Sequence, residues 1–126
     1  MTITIPIYWE QPNGKTVLVG MNFYRNAHYF LQNRLKQEFT ELVVAQLVGV
    51  APITSTFRLE LVLFYKTTTC DSSNIISLME KISLDAFKSA GIIIDDNVKH
   101  HVGSCYSVAG QDKLNPRCEI TILGGI

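Results

Sequence analysis

Little in this chain is long, repeated or strongly charged. No apolar run approaches the ~18 residues of a bilayer span, so the sequence predicts no membrane segment. The opening residues, MTITIPIYWEQ, carry no basic stretch and no continuous apolar core, so they do not read as a signal peptide. Cysteine is scarce: Cys70, Cys105 and Cys118 are odd in number and lack metal-ligand spacing. They read as reduced thiols, and the chain as a cytoplasmic protein. The three histidines, His28, His100 and His101, make no H-x3-H pair, which removes the usual zinc signature. Charged residues are 17% of the chain and balance to a net charge of zero. That balance counts against a strongly basic nucleic-acid binder. It leaves room for one whose acids are spent at a metal site and whose bases lie elsewhere. Internal repeats and low-complexity tracts are absent, and 126 residues with 47% apolar content suit one domain.

What is present alternates between strand-like and helix-like periods. Residues 2–9 alternate as a strand, with Pro6 marking an edge or a bend. Gln11-Pro12-Asn13-Gly14 is a turn signal, and residues 16–20 suit a short second strand. Residues 22–27, NFYRNA, read as a loop entering a helix. That helix is predicted over 27–48 from the spacing of Leu31, Leu35, Phe39, Leu42 and Gln46, and Pro52 stops it. Residues 54–66 form the clearest strand. Leu59, Leu61, Leu63 and Tyr65 line one face and Arg58, Glu60, Val62, Phe64 and Lys66 the other, with both faces predicted to be partly covered. A second helix is predicted over 74–88, ended by Gly91. Ile92, Ile93 and Ile94 suit a strand carrying Asp95 and Asp96, and residues 99–109 and 117–123 two more strands. The order β-β-α-β-α-β-β-β predicts a single α/β (α+β) domain over 1–126, a mixed β-sheet with two main helices.

The segment from Asp71 to Asp96 holds the chemistry. At about 100° per residue, Asn74, Lys81, Asp85 and Lys88 fall on a strip roughly 60° wide. Ile75, Met79, Ile82 and Ala86 fall on a strip about 150° away, so one face can be buried while the polar strip stays out. Asp71 precedes the helix and Asp95 and Asp96 follow it. If the two junctions bring these carboxylates together, they repel and need a divalent cation or a raised pKa. An oxygen-rich set suits magnesium. Each piece also has an ordinary reading: Asp71 as a helix N-cap, Asp95-Asp96-Asn97 as a turn, Lys81 and Asp85 as a surface pair.

The spacing of Asp71 and Asn74, of Lys81 with Asp85 and Ala86, and of Ala90-Gly91 with Asp95-Asp96 resembles the signature of the RusA-type Holliday-junction resolvases. The resemblance covers residues 70–98. It implies a RusA-like fold and a magnesium-dependent, structure-specific endonuclease that resolves branched DNA as a homodimer. It implies Asp71, Asp96 and Lys81 as catalytic residues, with Asp71, Asp96 and Asp95 as candidate magnesium ligands. Asn74, Lys15, Arg25 and Lys99 are candidate DNA contacts. Arg25 sits among Phe23, Tyr24, Tyr29 and Phe30, which can stack on unpaired bases or simply pack the start of the helix. Two departures stand out. Ser73 replaces the second aspartate of the D-x-D-N motif. The gap from Asn74 to Lys81 is four residues longer than usual, which leaves Ser77 at the unshifted lysine position. A catalytically impaired junction-binding relative is the alternative, and a phage structural protein that binds no DNA is a third reading.

Overall fold

The computed structural model describes residues 1–125. Its elements in chain order are β1 (Thr2–Pro6), β2 (Tyr8–Glu10), β3 (Thr16–Leu18), α1 (Met21–Asn26), α2 (Tyr29–Gln46), β4 (Phe57–Tyr65), α3 (Ser72–Ser89), β5 (His101–Gln111) and β6 (Arg117–Gly124). Four strands form a mixed sheet in the order β1-β6-β4-β5, and β2 and β3 form a separate hairpin. β4 is parallel to β5 and antiparallel to β6. This is one α/β unit with a four-stranded mixed sheet and two main helices, as the periodicities predict.

The core lies between the sheet and the helices. Leu59, Leu61 and Leu63 of β4 stand beside Ile122, Ile120 and Cys118 of β6, and Ile3 and Ile5 of β1 stand beside Ile120 and Cys118. Register partners share a face, so these side chains form one buried layer. α3 closes it with Ile75, Ile76, Leu78, Met79, Ile82, Ala86 and Phe87, and α2 adds Leu35, Phe39 and Val43. Burial pushes the Cys118 thiol up to about 12, so it stays neutral.

The structure departs from the sequence expectations at three places. The strand predicted over 2–9 is two strands in different sheets. Pro6 has no N–H to continue the ladder, and at Ile7 the backbone turns away, its N–H reaching the Pro116 carbonyl while its own carbonyl accepts from Val19. Residues 22–27 are not a loop, because α1 makes a turn and a half there before α2 begins after His28. Ile92–Ile94 is not a strand. Gly91 takes a positive φ of 74°, which glycine adopts without strain. That lets the Ile92 and Ile93 amides donate back to the Phe87 carbonyl. Ile92 and Ile93 then plug the core as a helix-ending turn. The second face of β4 is partly covered, as expected: Arg58 and Glu60 are exposed, Val62 and Phe64 are half-buried, and the Arg117 guanidinium lies 3.9 Å from the Phe64 ring centre.

Among the described residues no helix is long and apolar enough to cross a membrane.

Candidate functional site

The first turn of α3 gathers several predicted residues. Asp71 is the N-cap: its Oδ1 accepts from the Asn74 amide at 3.2 Å and from the Ser73 hydroxyl at 3.0 Å. This satisfies a backbone donor that the helix leaves unpaired. Asn74 then reaches across to α1, where its Oδ1 accepts from the Asn22 N–H at 2.8 Å. The bond needs close approach. A Cβ on Gly20 would lie 2.3 Å from the Asn74 side-chain nitrogen, so a larger residue there would push the Asn74 side chain out of this bond. Through this tether Arg25 of α1 comes beside the cap. Arg25, Asp71, Ser73, Asn74 and Ser77 line one open concavity of about 260 Å³ with Met21 and Asn22.

The residues placed together by sequence motif are otherwise split along α3. Asp95 binds Lys88 at 3.1 Å, near the C-terminal end of the helix. Its Oδ1 also accepts from the Asp96 N–H at 2.8 Å, and its Oδ2 from the Asn97 side chain at 3.2 Å. The backbone bond from Asp96, then the Lys88 ammonium, holds the Asp95 carboxyl below its ordinary value, while Asp95 raises Lys88. Two rulers give the separation from Asp71. α3 runs from Ser72 to Ser89, about 26 Å at the helical rise per residue. β4 runs from Phe57 to Tyr65, also about 26 Å at the strand rise. Asp71 follows the end of β4, whereas the Asp95–Asp96 turn leads into His101, which pairs with Phe57 at the start of β4. Asp71 and Asp96 therefore lie at opposite ends of the domain and cannot share a cation within one protomer. This corrects the expectation that the two helix junctions meet. They would meet only if Ile92–Ile94 returned as a strand, and it does not.

Lys81 is corrected in the same way. It lies two turns beyond Asn74 and points to Asp85, 3.8 Å away, which Lys36 of α2 approaches at 3.2 Å. The polar strip of α3 is thus the seam with α2. Ser77, at the unshifted lysine position of the sequence motif, donates to the Ser73 carbonyl at 2.7 Å and lines the concavity. Of the other candidate DNA contacts, Lys15 sits in the β2–β3 turn. Lys99 sits beside Asn97, at the Asp96 end.

One protomer does not bring together the Asp71, Asp96 and Asp95 set that the resemblance implies for magnesium. Asp71 is the one carboxylate lining the concavity, with one oxygen committed to the cap. Among the described residues no three His, Cys, Asp or Glu side chains group as metal ligands. Sequence reasoning named Arg25 and Asn74 separately and missed that they meet, through the Asn22 bond and the space that Gly20 leaves. A glycine two residues before NFYRN was the one visible signal of that meeting.

Comparison with protein-family models finds no match, and comparison with curated proteins finds none. The resemblance to RusA-type resolvases accordingly rests on residues 70–98.

Acid should act on the structure through carboxylates held in ionised form. Asp112 accepts from the Asn115 and Leu114 amides and binds Arg117 at 2.8 Å. The Asn115 amide first, then Arg117, lowers its pKa. A lowered folded pKa gives stability that is present above the ordinary carboxylate value of about 3.9 and lost as pH falls through the folded value. The difference in melting temperature between wild type and Asp112→Asn should be constant at neutral pH. It should shrink below about pH 4. A difference that grows on acidification would contradict this assignment.

Proposed function

We propose that this chain binds branched DNA, with a four-way junction as its substrate class, by seating a backbone phosphate in the concavity at the first turn of α3. The supporting observation is the convergence there of Arg25 with Ser73, Asn74 and Ser77, from segments about fifty residues apart. A guanidinium beside a helix N-terminus suits a phosphodiester. Asp71 opposes that charge, and its engagement in the cap reduces the conflict. The choice of branched DNA comes from the RusA-type resemblance, whereas the choice of surface comes from geometry.

This is the junction-binding form of the resolvase reading. The endonuclease form needs a second carboxylate beside Asp71, and neither Ser73 nor Asp96 of the same protomer supplies one.

A gel-shift titration with a synthetic four-way junction tests the proposal. Binding should weaken steeply with salt. Arg25→Ala should weaken it about tenfold and make the salt slope shallower by about one phosphate contact. The same reactions with and without magnesium report cleavage. Retardation without nicking is the expected result for a site with one carboxylate. Magnesium-dependent nicking would establish the endonuclease form. Absence of any junction complex at low salt would sink the DNA reading and favour a structural protein.

A further inference from the structure

The two edges of the main sheet are treated differently. At β1, Gln46 of α2 plugs the outer edge. Its Oε1 accepts from the Thr4 N–H and its Nε2 donates to the Thr4 carbonyl, both at 2.8 Å. At β5 nothing comparable occurs, and no strand lies on its outer side among the described residues. β5 is eleven residues long, and from Val102 to Gln111 it contains no charged side chain and no proline. Folded domains rarely leave such an edge bare, because its free N–H and C=O groups template another strand. Register shifts interrupt the ladder near both ends of β5 and leave Gly103–Val108 regular.

We infer that β5 pairs antiparallel with β5 of a second copy, about a twofold axis near Tyr106, joining two four-stranded sheets into one. Three observations choose a second copy as the occupant. A strand that meets itself places every charge near its own equivalent, so an uncharged strand suits self-pairing and a charged one repels. Tyr106 and Val108 are each 48% exposed and share the helix-side face with Leu61 and Leu63. On that face two hollows, of about 190 and 220 Å³, flank them, one floored by Leu61 and Ile76 and the other by Leu63 and Cys70. An antiparallel copy presents its own Tyr106 and Val108 to the same face, so each copy offers the knobs that the other's hollows accept.

The pairing has a consequence that rests on the junction-binding reading. An antiparallel copy sets the His101 end of its β5 against the Gln111 end of the first. The Asp95–Asp96 turn of the second copy then lies at the same end of the joined sheet as Asp71. The carboxylates that one protomer holds about 26 Å apart are brought to a common end by two.

Light scattering on the whole chain at tens of micromolar, without DNA, tests the edge. Twice the chain mass is expected, and a monomer overturns the inference. Tyr106→Lys and Val108→Lys should each shift the dimer to monomer by at least tenfold in dissociation constant, with circular dichroism confirming the fold. A second readout uses wild type alone. Cys105 is the exposed thiol, whereas Cys118 is buried and Cys70 half-buried. Diagonal neighbours across a strand pair lie about 7–8 Å apart, so a short bis-maleimide should link Cys105 to its equivalent, and Cys105→Ser should abolish the link. A dimer that ignores both lysine variants and does not cross-link through Cys105 overturns the assignment to β5. Junction binding plays no part in these measurements. A dimer with these properties that binds no DNA keeps the interface and rejects only the DNA reading.

Discussion

Phe87→Ala should lower the melting temperature by roughly 10–20 °C. Phe87 is fully buried, and its ring belongs to the face of α3 that closes the sheet. Truncating a buried phenylalanine typically costs about 3–5 kcal/mol, part transfer and part cavity. Total stability for a domain of this size is about 5–15 kcal/mol, so the loss is a large share of it. The position has a second burden. The Phe87 carbonyl accepts from Ile92 and Ile93, the turn that plugs the core after Gly91. A slackened helix end should therefore also expose Ile92 and Ile93. Thermal melts give the first effect, and hydrogen exchange at the Ile92 and Ile93 amides gives the second. Phe87→Leu, which keeps most of the volume, should cost no more than about 1.5 kcal/mol. An alanine variant that melts within a few degrees of wild type would show that this face of α3 does not carry the core.

Trp9→Ala should cost a similar ~3–5 kcal/mol and should also weaken the candidate site. Trp9 is 5% exposed and ties three elements together. It pairs with Val17 in the β2–β3 hairpin, its indole N–H donates to Glu38 of α2 at 2.5 Å, and its ring meets Phe23 edge-on with centroids 6.4 Å apart. Phe23 lies in α1, two residues before Arg25. α1 is six residues long with no buried residue of its own, so it depends on neighbours for its position. Removing the indole takes away one of those neighbours. The expected result is a lower melting temperature together with weaker junction binding in the protein that remains folded. Trp9→Phe separates the two contributions, because it keeps an aromatic edge for Phe23 and loses only the donor to Glu38. If Trp9→Ala destabilised the fold but left junction affinity at wild-type level, α1 would be held without the indole, by the Asn74 tether and the Gln32 bonds to the Tyr24 and Arg25 carbonyls.

The candidate site shows where motif reading carried and where it stopped. Asp71 was legible as a cap because an acid before Ser-Ser-Asn and an amphipathic run satisfies local helix chemistry, which needs only residues a few positions apart. Asn74 and Arg25 were legible as individual candidates. Their meeting was not, because it depends on a contact between α1 and α3 across 52 residues and on the space that Gly20 leaves. Asp96 and Lys81 show the opposite error. Asp96 lies at a motif's spacing and Lys81 one helical turn beyond it, yet an eighteen-residue helix keeps its two ends apart whatever the motif implies.

By itself the sequence determined the periods. Alternation in 57–65 and the apolar stripe of 72–89 commit those segments to a strand and a helix, because burial of one face is a local property of the pattern. The apolar run 92–94 was ambiguous, since a short β-branched stretch suits a strand or a buried turn equally well. Only the tertiary structure decided between them. With Gly91 turned to positive φ, the Phe87 carbonyl was within reach of both following amides, and the core beneath had room for two isoleucines. The tertiary structure likewise decided that helices cover one face of the sheet, that Gln46 seals one edge, and that β5 is left bare. Those outcomes depend on which distant segments arrive at the same place, and no pattern within a single segment contains that information.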